Sequence, residues 1–418
     1  GSMMAAKCFT CFAGSNDDPQ SLWFSKSGSY ENFTTGVNAS DAMVYTIASN
    51  KVNAIRNLSA QRSLIVGTVG GEFVVSASGT TSPITPTNIQ IQKQSSYGSA
   101  NVDAVQIENV TMFLQRAKRK VRELTYNLNI DQYQAADMTL LAEHISEGGI
   151  TEMAYQQEPD SILWCVRSDG TLLGFTYARA EEVVGWHRHI VGGAFGSGQA
   201  VVESVASIPS DDNEDELYMI VKRTVNSVTR RYVEYLNLFD YGADQNDAFF
   251  VDSGLTYSGS ATTSITGLDH LEGQVVTILA DGATHPDKTV SGGAITLDRS
   301  SSKVHIGLSY TSLLQTMRME SQGNEATSQS KTKRINEVTL RLHETVGVEV
   351  GSDLTNMERI PFRSSAAAMN TAVPLFTGDK QVEFRDDFNT DGHVYVRQTQ
   401  PLPLTLISLY PIITVNDG

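Results

Sequence analysis

Residues 150–189, ITEMAYQQEPDSILWCVRSDGTLLGFTYARAEEVVGWHRH, divide into four short strands joined by three tight connections. Glu152–Gln156 mixes apolar and polar side chains, and Pro159-Asp160 turns the chain. Ile162–Val166 is a nearly unbroken apolar run, the pattern of a strand covered on both faces. Ser168-Asp169-Gly170 makes the next turn, with glycine supplying the positive φ that hairpins favour. Thr171–Tyr177 and Val183–His187 complete the set. A four-stranded meander of about 40 residues whose second strand is the most apolar is one blade of a β-propeller. An ordinary meander within a sandwich is the other reading of this stretch.

The same phrase recurs along the chain: a polar lead-in strand, a buried strand, a turn and an outer strand. The buried strands are SLIVGT (63–68), VTMFLQR (110–116) and LYMIVK (217–222); the outer strands are EFVVSA (72–77), KVRELTYN (120–127) and RRYVEYL (230–236). Spacings of about 40–50 residues favour the propeller over the sandwich. Upstream, PQSLWFSKSGSYENFT (19–34) reads as strand, glycine turn, strand, and Asp41–Ser49 as a strand or helix. Asp137–Glu147 (DMTLLAEHISE) has an Asp start, apolar residues at helical spacing and a Gly148-Gly149 stop, and predicts a connector helix between blades. Ala248–Leu308 holds five or six short strands with glycine turns, a compact module inserted between strands of a blade. Extended patterning resumes after a polar loop at Met317–Lys333, and Pro401–Pro411 is a closing strand of the kind that completes the first blade of a ring. The expected fold is all-β, with propeller-like four-stranded blades, an inserted small β module and one or two connector helices. The expected organisation is a tag and N-terminal segment at 1–18, blades at 19–247, the module at 248–308, and remaining blades with the closing strand at 309–418.

Composition agrees with a turn-rich β chain: 418 residues with 33 glycines, 11 prolines, 40% hydrophobic and 19% charged residues. A formal charge of −16 argues against a sequence-reading DNA binder with a basic face, and does not rule out a conduit past which DNA slides without adhering. No apolar run approaches the ~18 residues of a membrane-spanning helix. Gly1-Ser2-Met3 reads as an expression remnant, and no signal peptide is visible.

Few residues suggest chemistry. Cys8 and Cys11 form a C-x-x-C, but no second pair for zinc and no strand-to-helix context for redox work accompanies them; with Cys165 they read as structural thiols. Gly192–Gly198 (GGAFGSG) reads as a flexible loop. His187 and His189 share one face of a strand, as metal ligands do, yet no third ligand is identifiable, and exposed imidazoles on a blade edge are the plainer reading. Asp387, Asn389 and Asp391 match the first half of a calcium loop, D-x-[DN]-x-[DN]-G, but Gln398 stands where the bidentate Glu belongs, so an Asx hairpin turn competes with calcium. Asp211–Glu216 is an acidic loop. Arg116, Lys118, Arg119, Lys120 and Arg122 crowd one hairpin tip; a solvated turn is the plainer reading, and contact with a phosphate backbone or an acidic neighbouring subunit is the functional one. No nucleophile elbow, zincin helix or P-loop occurs, and no spacing nominates a catalytic carboxylate pair.

Four phrases together carry a resemblance: SLWFSKSGSYENF, AYQQEPDSILWCVRSDGTLLGFTYARAEEVVGWHRH, GLDHLEGQVVTILADG with VSGGAITL and VHIGLSY, and QPLPLTLISLYP. From about residue 19 to 415 the chain resembles the tail nozzle, or tail tubular protein B, and the related head–tail stabilisation proteins of short-tailed bacteriophages. The resemblance implies a non-enzymatic virion protein on a β-propeller with inserted β modules. It implies a homohexameric ring below the portal and adaptor, contact with other tail components, transient passage of DNA, and no catalytic residue or cofactor. Such proteins carry more sequence before the opening phrase, so this chain reads as a C-terminal portion or a shorter member. The alternative is a carbohydrate-binding or glycan-degrading propeller acting in receptor recognition, with Trp23, Trp164 and Trp186 as sugar platforms.

Overall fold

The computed structural model describes the chain apart from residues 1, 7–8, 49–52, 62, 79–81, 211–213, 321–327, 330, 366–367, 369–370, 385–386 and 417–418, and apart from the side chains of residues 2–6. The described residues form strands, turns and two 3-10 turns, with no α-helix among them. They divide into two compact units, residues 1–189 with 202–221, and residues 190–201 with 222–418.

The first unit holds four complete sheets, each made of four consecutive antiparallel strands. The first is β1 (Ser2–Ala6), β2 (Phe9–Ala13), β3 (Ser21–Phe24) and β4 (Met43–Thr46). The second is β5 (Ile55–Ala60), β6 (Leu64–Thr68), β7 (Gly71–Ala77) and β8 (Ile89–Lys93). The third is β9 (Val105–Ile107), β10 (Val110–Leu114), β11 (Val121–Asn127) and β12 (Gln132–Asp137). The fourth is β13 (Ile150–Gln156), β14 (Ile162–Arg167), β15 (Leu172–Ala178) and β16 (Val183–His189).

Successive side chains of a strand point to opposite faces, so an unbroken apolar run needs cover on both sides. These runs have it. On β6, Leu64 and Val66 pack with Leu22 and Phe24 of the first sheet, while Ile65 between them packs with Phe113 and Leu124 of the third. On β10, Met112 and Leu114 face the other way, toward Leu163, Cys165 and Phe175 of the fourth. Each sheet therefore stacks face to face on the next, as blades of a propeller do. Burying one such side chain contributes about 1.5–3 kcal/mol.

Backbone hydrogen bonds join the blades in a repeating pattern. The residue leading into each new blade donates its N–H to a carbonyl in, or just before, the turn between the second and third strands of the blade before. The pairs are Ile55 to Pro19 (2.8 Å), Ser99 to Thr68 (2.7 Å), Ile150 to Lys118 (2.8 Å) and Val202 to Gly170 (2.9 Å). The corresponding turn of the new blade donates back to the same connector: Val69 to Ala54 (3.1 Å), Arg116 to Gly98 (2.8 Å) and Ser168 to Gly149 (2.8 Å). Gly98 sits at φ +76°, and a Cβ there would lie 2.1 Å from the Val69 carbonyl oxygen.

After β17 (Ala194–Phe195) and β18 (Gly198–Gln199) come β19 (Val201–Pro209), β20 (Asp215–Val225) and β21 (Val228–Tyr235), a three-stranded sheet. The second unit continues with β22 (Asp252–Thr266), β23 (Val275–Ala280), β24 (Ala283–Thr289) and β25 (Ala294–Leu308), ordered β22-β25-β23-β24 around a core of Leu268, Leu271, Ile278, Leu297 and Ile306. The remainder is β26 (Ser312–Gln315), β27 (Lys333–Thr345), β28 (Glu349–Gly351), β29 (Met357–Arg359), β30 (Phe376–Glu383), β31 (Tyr395–Gln398) and β32 (Thr405–Val415). They pair as β26-β31-β28-β29 and β30-β27-β32.

Several expectations are corrected. Residues 2–6 and 9–13, assigned to an N-terminal segment, are two strands of the first blade. The helix expected at Asp137–Glu147 does not form. Asp137 ends β12, its carboxylate accepts the Thr139 N–H and hydroxyl, and the bonds Ala142 to Thr139, Ile145 to Ala142 and Gly149 to Ser146 close isolated three-residue turns that never propagate a helical ladder. Met138, Ala142 and Ile145 reach the core, while Leu140 and Leu141 stay outside, 64% and 98% exposed. The 248–308 module has four strands, two of them 15 residues long, where five or six short ones were expected. The chain after it does not return to β21, because β26 pairs with β31. Residues 309–418 run in non-consecutive strand order, unlike the blades, and the closing strand β32 joins β27, not the first blade.

Gly98→Ala is expected to lower the stability of the first unit by about 2 kcal/mol or more, through the positive φ and the clash with a backbone oxygen. Gly185→Ala, where a Cβ meets nothing within 4 Å, is the matched control and stays within about 0.5 kcal/mol of wild type in urea denaturation. Equal midpoints for the two variants would remove the stitch from its structural role.

Candidate functional site

The cation-rich tip lies in the β10–β11 turn, closed by the Gln115 N–H to Lys120 O and Lys118 N–H to Gln115 O bonds. Lys118 takes φ +63°, and its carbonyl is one of the inter-blade acceptors. The five cations separate into two groups. Lys120 Nζ lies 2.8 Å from Asp137 Oδ2 and 3.0 Å from Glu143 Oε1, and these two carboxylates raise its pKa. Arg122 is 8% exposed; it donates to Gln115 Oε1 (2.8 Å) and to the Ala135 carbonyl (2.7 Å), and its guanidinium lies 3.5 Å from the Tyr97 ring centroid. These two hold β12 and the connector after it. Arg116, Lys118 and Arg119 are exposed, with no ion pair among the described residues. The free positive charge of the tip is therefore three side chains.

The half calcium loop forms an Asx turn. Asn389 Oδ1 accepts the N–H groups of Asp391 (2.9 Å) and Gly392 (2.7 Å), and Asp391 Oδ1 pairs with Arg318 at 2.8 Å. Asn389 also exchanges backbone bonds with Lys333, while Asp387 contributes its carbonyl to the Asn389 amide. The side-chain oxygens that calcium would need are thus already engaged, that of Asn389 within the turn and Oδ1 of Asp391 by Arg318. No group of three or more His, Cys, Asp or Glu placed to hold a metal occurs among the described residues.

His187 and His189 are not exposed on the blade edge as expected. They are half-buried, His187 Nδ1 and His189 Nε2 share a hydrogen bond of 2.7 Å, and His187 Nε2 lies 3.1 Å from Thr176 Oγ1. Both rings meet the buried Trp164 edge-on, at 6.0 and 4.9 Å. Trp164 donates to Gln156 Oε1 (2.8 Å), and Gln156 donates to the Asp215 carbonyl (2.7 Å), so the described end of the acidic loop serves as an anchor. Gly174 makes room for the pair: a Cβ there would fall 2.0 Å from His187 Cε1. Burial lowers both imidazole pKa values, that of His189 to about 4 with help from His187.

The glycine-rich loop is likewise built in. Gly192 donates to Asp252 Oδ2 (2.5 Å) and accepts from Arg223 Nε (2.7 Å), and Gly193, at φ +91°, leaves a Cβ only 2.9 Å from Arg223 Cδ. Arg223, 1% exposed, also holds Glu234 through both terminal nitrogens. Burial pushes the Asp252 carboxyl up to about 6, against the lowering pull of the Gly192 N–H and Arg223. Composition showed the glycines of this cluster but gave no sign of its buried arginine. Cys11 and Cys165 are buried thiols, burial pushing Cys11 up to about 12; Cys8 lies outside the described residues. Trp164 is in the core; Trp186 is half-buried, stacks on Phe175 at 4.5 Å and donates to the Met138 carbonyl; Trp23, on β3, is also half-buried. A cleft of about 310 Å³ between residues 101–103 and 151–153 contains Asp103 and Glu152, the latter held by Ser204 at 3.0 Å, with no aromatic in its lining.

No family model matches the chain, and no curated protein matches it. Among solved structures, an auxiliary nutrient binding protein from Bacteroides thetaiotaomicron aligns with a TM-score of 0.28 and 10% identity, over 71% of this chain and 69% of its own. The N-terminal domain of Nup159 gives 0.28 and 9%, over 95% and 88%. A luciferin-regenerating enzyme gives 0.20 and 10%, over 50% and 81%. Likenesses this slight carry no functional argument.

The two displaced pKa values predict opposite pH responses. His189 takes up a proton more readily when unfolded, so its contribution, about 3 kcal/mol, is present at neutral pH and lost as pH falls from about 6.5 to 4. A titration midpoint at or above 6.5 for the His189 ring by NMR would refute this burial. Asp252 binds its proton more tightly when folded, so its contribution, again about 3 kcal/mol, is present at low pH and declines as pH rises from 3.8 to about 6. Asp252→Asn keeps an acceptor for Gly192 and is expected to raise the denaturation midpoint at neutral pH; a lower midpoint there counts against the assignment.

Proposed function

We propose that this chain is a structural component of a short-tailed phage tail, contributing to the wall of the DNA-exit channel and to a platform for other tail proteins. The observation that carries the reading is where the resemblance phrases fall. The blade phrase spans most of one sheet, β13 to β16, stacked on its predecessor, and the module phrase supplies β23 and parts of β25 in the separate sheet β22-β25-β23-β24. The perturbed ionisable groups support a structural role: His189, Asp252 and Asp169 are each held by neighbours of their own unit. The acidic balance of −16 suits a wall that a polyanion passes without adhering. The carbohydrate reading has less support, because Trp164 is buried, Trp186 is half-buried against Phe175 and the carboxylate-bearing cleft lacks an aromatic floor.

The test is solution mass by light scattering, for the chain alone and with portal, adaptor and tail partners. Incorporation into a discrete ring with those partners is the expected result. A chain that stays single beside them, yet binds or cleaves a surface glycan, would overturn the proposal.

A further inference from the structure

The third and fourth blades carry opposite chemistry at their two ends. In a meander the turn between strands two and three and the turn between strands three and four lie at opposite ends of strand three. For β15, seven residues long, that separation is about 20 Å. At one end sit Arg116, Lys118 and Arg119, exposed and without ion pairs among the described residues. The connector carrying Leu140 and Leu141 is tied to the same turn, by Lys120 to Glu143 and by the Ser146 hydroxyl to the Arg119 carbonyl (2.6 Å). Of its nearby acids, Glu143 is paired with Lys120 and Asp169 with Arg167, while Glu147 is exposed and leaves the three cations in excess. At the other end, the β15–β16 turn presents exposed Glu181 and Glu182, followed by Val183 and Val184, 52% and 51% exposed. The β11–β12 turn beside it adds Leu128, 80% exposed.

One end is thus two bare leucines beside three free cations, and the other is bare valines and a leucine beside free carboxylates. Each is an exposed apolar group flanked by charge, and the two are complementary. We infer that the chain associates with a second copy of itself head to tail, the basic turn and Leu140–Leu141 of one copy meeting the Glu181–Val184 hairpin of the next. The occupant is a second copy because both halves of the match are on the same chain, while a polyanion would leave Leu140 and Leu141 uncovered. Such a contact is heterologous: it closes as a ring if the rotation permits and otherwise extends as a stack. It deepens the proposed function by naming a contact between copies, resting on that reading for its biological setting only.

The test uses two charge reversals in the full chain, R116E/K118E/R119E and E181K/E182K, followed by sedimentation velocity across concentration at low and high salt. Wild type is expected to associate at low salt and to dissociate as salt screens the contact. Each variant alone is expected to associate roughly tenfold more weakly or worse. An equimolar mixture is expected to recover association, since one variant is then acidic at both ends and the other basic at both. L140S/L141S is expected to weaken association without changing its salt dependence. Thermal melts matching wild type exclude misfolding of these surface variants. Wild type that stays monomeric at low salt, association that survives both reversals, or a mixture that fails to recover would overturn the inference. None of these results bears on whether tail partners bind, which the light-scattering experiment reads.

Discussion

The first unit depends on a backbone contact. A strand entering a new blade brings an N–H that its own sheet does not satisfy at that position, and the preceding blade's turn offers a carbonyl in the same state. Left unpaired, each would be costly; together they make one bond at each of four junctions, from Ile55–Pro19 to Val202–Gly170. The bond also fixes how far along its axis the new blade begins, which decides which side chains meet across the stack. Leu64 and Val66 can face Leu22 and Phe24, and Met112 can face Cys165, only in that register. The connectors must then approach the turns to within backbone distance, and this explains Gly98 against Val69 and Gly149 against Lys118.

This dependence explains what was readable beforehand. The second and third strands of each blade were legible because a sheet covered on both faces forces unbroken apolar runs, as in LIVGT, VTMFL and ILWCVR. The fourth strand of the third blade was not. QYQAAD is polar and alternates exposed with half-buried residues at the outer edge, where nothing apolar is demanded. The missed strand produced the false helix, because Asp137, taken as its cap, is in fact the last residue of β12 and the partner of Arg122. Met138, Ala142 and Ile145 have helical spacing, but three-residue turns place nearly the same residues inward, and composition cannot distinguish the two. The stitch itself left no mark, since its donors and acceptors belong to the backbone.

The candidate site shows the same division. All five cations were visible, but not their fates, because Lys120 and Arg122 are consumed by Asp137 and Ala135 on the strand that was missed. The calcium half-motif misleads for a chemical reason: oxygens at alternate positions before a glycine suit a hard cation and equally suit the N–H groups of a tight turn, and Asn389 serves the turn. The histidines at alternate positions were placed correctly on one face. That the face looks inward, onto Trp164, depends on a glycine opposite His187 that no local pattern announces.

A net charge of −16 suggests that copies of this chain repel one another, but that sum is not what two surfaces sense at contact. At physiological ionic strength screening acts over about 8 Å, while the charged ends of the third and fourth blades lie about 20 Å apart. Each end therefore presents its own sign. Exposed ion pairs contribute little, about 0.2–1 kcal/mol each, so three cations orient an encounter more than they hold it. More of the attraction comes from side chains such as Leu141, 98% exposed, whose burial is worth about 1.5–3 kcal/mol. Two or three such groups, opposed by the entropy of association, yield a weak and salt-sensitive contact. A contact of that strength leaves the chain soluble by itself and becomes effective where copies are held side by side, because a template converts the second encounter into an intramolecular one.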